Sequence, residues 1–121
     1  MSIDHARVID RILLDSQTED ILLIITDHLE WSGNEDEHEH DHEHMLKLQE
    51  KLNAYLSFVE SKEIYETYPH LKGRSVVIEV VCKFPLSDRA QNFYNMIYPV
   101  IKGAGMKLRY TLFRGDDTFK G

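Results

Sequence analysis

One cysteine, three prolines and one tryptophan are all that this 121-residue chain holds of those residue types. A single cysteine excludes an internal disulfide, and no C-x-x-C pair exists for redox or zinc chemistry. The thiol, Cys82, lies within the apolar run SVVIEVVCKF, where free cysteine is ordinarily a small buried apolar side chain. No apolar run approaches the roughly 18 residues that span a bilayer. The opening MSIDHARVID lacks the basic-then-apolar order of a secretory signal. A cytoplasmic location is therefore expected, with no membrane partner. A Gly-rich phosphate loop is missing as well, and no nucleophile–base–acid set can be assembled from the residues.

Positive charge is also scarce. The chain has 14 Lys and Arg against 21 Asp and Glu, a formal charge of −7. Residues 35–44 contribute six of those acids and no base, so the remainder is nearly neutral, with 14 bases against 15 acids. No basic stripe is evident, and nucleic acid is not an expected partner.

What is present is an ordinary globular balance, with 42% apolar and 29% charged residues. A chain of this length buries roughly two thirds of its unfolded surface, so it needs neither metal nor disulfide to fold. A single domain over residues 1–121 is expected. RVIDRILL (7–14) and DILLIIT (20–26) are apolar, β-branched runs joined by the short polar DSQTED, the pattern of a hairpin. The second run is apolar throughout from Ile21 to Ile25, which predicts a strand covered on both faces.

A helix is expected from Met45, with Leu48, Leu52, Tyr55 and Val59 on one stripe and Lys47, Gln49, Glu50, Lys51 and Asn53 on other faces. A break near Ser61 is expected, and Pro69 ends the helix near Tyr68. Residues 75–84 form the clearest strand. Ser87 is placed to cap a second helix striped by Ala90, Phe93, Ile97 and Ile101, which Pro99 should kink or divide. MKLRYTLF (106–113) alternates as a last strand, with Met106, Leu108, Tyr110 and Leu112 inward, and residues 114–121 read as a flexible tail.

The order ββαβαβ predicts an α+β fold, a two-layer α/β sandwich. Its four-stranded mixed sheet has order 1-2-3-4, with two helices on one face because parallel crossovers share one hand. The other face would then expose apolar residues such as Val77 and Val81, and should pair with a second copy or a protein partner.

The loudest chemistry is EDEHEHDHEHM, residues 35–45, read as part of an acidic His-rich loop over residues 32–44. Imidazoles at His38, His40, His42 and His44 suit zinc or nickel, and the tract is expected to take up such ions adventitiously. No cofactor is expected to be required. The formal H-E-x-x-H match at residues 38–42 follows from the alternating composition, because no apolar face flanks it to bury a zinc-peptidase helix. A second cluster, TDHLEW at residues 26–31, leaves the carboxyl end of the second strand, where open α/β sheets gather ligands. Asp27, His28 and Trp31 are its candidate ligand- or partner-binding residues. In the structural alternative, Asp27 caps a turn and Trp31 packs under the first helix.

VIDRILLD, TDHLEW, LQEKLNAYLSFVES, IYETYP and VVIEVVCKFP together resemble a family of small bacterial proteins defined only as a domain of unknown function. The likeness spans about Val8 to Phe113. Asp27, His28, Leu29 and Trp31 match its D-H-L-x-W segment. Leu48, Gln49, Glu50, Lys51, Asn53, Tyr55 and Leu56 match L-Q-E-K-x-N-x-Y-L. The resemblance implies an acidic linker between the two motifs and no particular activity.

The expected function is that of a non-enzymatic protein-binding module acting as a homodimer. The alternatives are metal handling through the histidine tract, an immunity-type toxin inhibitor, and a small enzyme with its site near Asp27 and His28.

Overall fold

A computed structural model describes residues 9–31 and 38–112, with the side chains of His38 and Glu39 left aside. The elements run β1 (Arg11–Leu14), β2 (Ile21–Asp27), α1 (His38–Glu60), α2 (Glu63–Thr67), a 3-10 turn (Pro69–Leu71), β3 (Val76–Cys82), α3 (Asp88–Gly103) and β4 (Lys107–Leu112). The four strands form a sheet in the order β1-β2-β3-β4. β1 is antiparallel to β2, whereas β2–β3 and β3–β4 are parallel. This is the mixed sheet the element order predicts.

Strand alternation sets the two faces. Ile21, Leu23 and Ile25 of β2, Val76, Ile78, Val80 and Cys82 of β3, and Leu108 of β4 point into one core. Leu48, Leu52 and Tyr55 of α1 and Ala90, Phe93 and Ile101 of α3 fill the same core, so both long helices cover that face. Cys82 is buried and unpaired, as its apolar context implies.

Two local expectations hold for stated reasons, and a glycine turn joins them. Lys62 adopts φ 67°, a left-handed turn that separates α1 from α2 beside Ser61. The Ser87 hydroxyl accepts from the Ala90 backbone N–H at 3.2 Å, capping α3. Gly73 has φ 86°, so the turn into β3 uses the glycine's freedom.

Four expectations need correction. α1 begins at His38, not Met45, so the part of the supposed His-rich loop from residue 38 to 44 is helical; residues 32–37 lie outside the described residues, as does the tail from 114. α3 is not divided at Pro99, which lies inside it on an exposed face where water can satisfy the Asn95 carbonyl. Tyr110 is 44% exposed: it points to the helix side, with the Tyr94 ring 4.9 Å away and Gln91 donating to its hydroxyl, but it lies at the open margin of the core. Lys51, assigned to an outer face of α1, is fully buried.

The second face of the sheet carries Leu13, Leu22, Ile24, Val77 and Val81, and among the described residues no helix packs on it. It is less bare than the apolar run of β2 predicts. Ile24 and Val77 are already 8% and 4% exposed, and Arg109 is ion-paired with Glu79 across β3 and β4. Leu13, Leu22 and Val81 are half-buried.

Candidate functional site

The site is assembled along α1. Asp41, His44, Leu48, Lys51 and Tyr55 recur at steps of three and four residues, so they share one face of the helix. All five are buried. Burying polar groups is costly unless each finds a partner, and each polar member of this stripe does.

Tyr55 donates to the Ile24 carbonyl and accepts from the Asp10 N–H at 2.8 Å. Burial, the dominant cause, raises the Tyr55 phenol above its ordinary value. Lys51 Nζ donates to Asp10 Oδ1 at 2.7 Å, and both side chains are almost wholly closed to solvent. The other oxygen of Asp10 accepts from the Thr26 N–H at 2.9 Å, so the carboxylate ties α1 to β2 just before β1 begins. Asp41 accepts from Arg89 Nη1 at 2.7 Å, which joins the first turns of α1 and α3.

The fourth member is His44. Its Nε2 lies 2.7 and 2.8 Å from the two carboxylate oxygens of Asp27. An ionised carboxylate only accepts, so Nε2 carries the hydrogen. Asp27 also accepts from the Leu29 N–H at 3.2 Å, an Asx turn at the end of β2. Trp31 stacks on the imidazole with ring centroids 3.6 Å apart and planes 19° from parallel. Two atoms in this stack, His44 Nδ1 and Trp31 Nε1, are buried with no hydrogen-bond partner among the described residues. An ordered water is the usual resolution of such a pair.

Beyond Asp27 lies Cys82, its register partner across β2 and β3. The Cys82 thiol is 3.8 Å from the Tyr94 hydroxyl. Burial first, and the Asp27 charge second, push the thiol up to about 12. Burial likewise raises the Tyr94 phenol well above its ordinary value, with Cys82 and Asp27 adding to the shift. A thiol held protonated in this way is a poor nucleophile and a poor metal ligand.

Two regions that look separate in sequence are therefore one constellation. Asp27 and Trp31 come from TDHLEW, and His44 comes from the histidine tract. His28 is exposed, so the imidazole that completes the Asp27 cluster belongs to residue 44. The other tract members diverge. The His40 ring lies 3.1 Å from the Glu30 carbonyl, His42 is exposed, and the His38 side chain lies outside the described residues.

This geometry overturns the expected uptake of zinc or nickel. Among the described residues, no group of three or more His, Cys, Asp or Glu side chains could hold a metal ion. A helix turns about 100° per residue, so His42 faces away from His40 and His44. His44 itself is sealed between Asp27 and Trp31. Also among the described residues, no helix is long and apolar enough to cross a membrane.

Sequence reasoning missed Asp10, Asp41, Lys51 and Arg89. A usable signal existed: the three-and-four spacing of Leu48 and Tyr55 extends through Lys51 and back to His44 and Asp41.

The model of a family described only as of unknown function, DUF6572, matches residues 1–114. No curated protein and no solved structure matches the chain.

Proposed function

The chain belongs to DUF6572, a family of unknown function, and from that premise we propose that it is a protein-binding module without catalysis of its own. In this reading it acts as a homodimer through the open face of its sheet. One observation carries the proposal. Leu13, Leu22 and Val81 are half-buried apolar side chains on that face, beside covered Ile24 and Val77. Glu79, paired with Arg109, lies between Val77 and Val81, and Arg11, Thr26, Lys107 and Thr111 are exposed around them. Part-open apolar side chains mixed with polar and charged groups are the composition of a protein interface. Two such sheets packed face to face would bury Leu13, Leu22 and Val81 at a spacing of about 10 Å.

The chemically capable side chains support the same reading. Asp27 and His44 are each 1% exposed and engaged with each other, and the Cys82 thiol is kept protonated by its surroundings.

Light scattering after size exclusion tests this. A mass near twice 14.2 kDa is expected, and Val81→Lys should return the species to a single copy with an unchanged circular dichroism spectrum. A wild-type protein that stays a single copy up to millimolar concentration would overturn the dimer.

A further inference from the structure

Charge along this chain is divided more sharply than its total suggests. Residues 89–112 contain Arg89, Lys102, Lys107 and Arg109 and no acid, within a chain of formal charge −7. Those residues form β4 and all of α3 except its first residue, the acidic Asp88. Arg89 is engaged by Asp41 and Arg109 by Glu79. Lys102 and Lys107 are exposed, with no ion pair among the described residues.

β4 is the last strand of the sheet, and among the described residues it pairs only with β3. Its outer side thus presents unpaired backbone donors and acceptors over six residues, Lys107–Leu112. A groove of about 290 Å³ runs beside it, between Tyr98 of α3 and Tyr110 of β4. A second groove of about 670 Å³ shares Tyr98, Leu108 and Arg109 with the first and continues to Lys102 and Lys107. Tyr98 and Tyr110 are 49% and 44% exposed, so each presents an aromatic wall to whatever enters. Asp15 and Asp20 also line the second groove, where the Gln17 and Thr18 hydrogen bonds, and after them the Arg109 charge, lower the Asp15 carboxyl.

We propose that the outer edge of β4 and the groove beneath α3 receive an extended acidic segment of another protein, added as a fifth strand. The backbone edge supplies strand pairing, the two tyrosines seat one large apolar side chain, and Lys102 and Lys107 meet the carboxylates. This combination of main-chain pairing and side-chain pockets is strand addition. Charge selects a foreign segment over a second copy at this edge. A second β4 brings Lys107 and Arg109 and no acid, so it has no carboxylate to set against Lys102 and Lys107. The proposal rests on the reading of the protein as a binding module, but it uses a different surface from the dimer.

The test uses the full chain and a fluorescein-labelled octapeptide alternating Glu and Val, with Phe at one central apolar position. Anisotropy should show saturable binding that weakens with salt. Amide shifts in NMR spectra should concentrate on residues 107–112 and on α3. Lys102→Glu with Lys107→Glu should weaken binding at least about tenfold, and Tyr98→Ala should weaken it without removing the salt dependence. All three positions are exposed, so folding should be kept. Absence of binding at millimolar protein overturns the proposal. So does equal binding of the Lys-for-Glu peptide, or equal competition by a single-stranded DNA octamer. Light scattering on the same samples separates the two readings. A single-copy protein that binds the peptide removes the dimer and keeps the strand addition, whereas a dimer that ignores the peptide does the reverse.

Discussion

Asp27 and His44 meet with the imidazole Nε2 2.7 and 2.8 Å from the two carboxylate oxygens, although 17 positions separate them in the chain. The contact joins the carboxyl end of β2 to the second turn of α1. Removing either partner leaves a buried polar group without its mate. Asp27→Ala and His44→Ala should each cost about 3 kcal/mol in urea unfolding, the usual scale for breaking a buried pair. The double variant should cost clearly less than the sum, because the second removal relieves the first. Additive losses would mean that the two side chains do not support each other.

Lys51 offers a second test at a distance from the first. Lys51→Met keeps most of the buried stem but leaves Asp10 unpaired, and should destabilise by about 3 kcal/mol. Lys47→Met, on the exposed side of the same helix, should stay within about 0.5 kcal/mol. Equal effects would show that the Asp10–Lys51 pair does not hold α1 to the sheet.

Cys82 makes a prediction about alkali. Its folded-state thiol is raised to about 12 from 9.0. Above pH 9 the unfolded chain releases a proton that the folded chain retains. The stability associated with this group is therefore whole below pH 9 and is lost progressively up to about pH 12. One proton contributes a slope of about 1.4 kcal/mol per pH unit. Cys82→Ala should make the alkaline decline shallower in that window. A thiol reagent at pH 8 should label the folded protein far more slowly than the protein in denaturant.

The cap of α3 rests on one hydroxyl. Ser87→Ala should cost about 1 kcal/mol, and Ser87→Asp should recover most of it. Thermal unfolding of the three proteins checks the order.

The parts of this molecule that were legible in advance are those in which hydrophobic period and turn chemistry agree. The unbroken apolar run of β2 and the alternation of Val76 to Cys82 locate the central strands, and handedness then places both helices on one side. Ser87 announces its helix by its position after Pro85 and before Asp88. The polar core was not legible, because its members resemble surface residues one at a time. Lys51 looks like an outward lysine between Glu50 and Leu52 until Asp10, 41 residues away, is brought beside it. Asp41 and His44 are hidden in a tract whose composition suggests solvation. Only the spacing that they share with Leu48 and Tyr55 reveals that the helix continues through them. Tyr110 misled in the opposite sense: it points to the helix side, where Tyr94 and Gln91 touch it, yet as part of the outer strand it stays 44% exposed, which alternation alone does not foretell.

Trp31 stacked on His44 gives the polypeptide a clasp. Asp41 with Arg89, and His40 with the Glu30 carbonyl, fix the turn of α1 that precedes His44 in the same way. Residues 38–44 are accordingly a poor place to graft a tag, because each residue inserted there would swing the start of α1 by about 100° away from the partners that Asp41 and His44 hold.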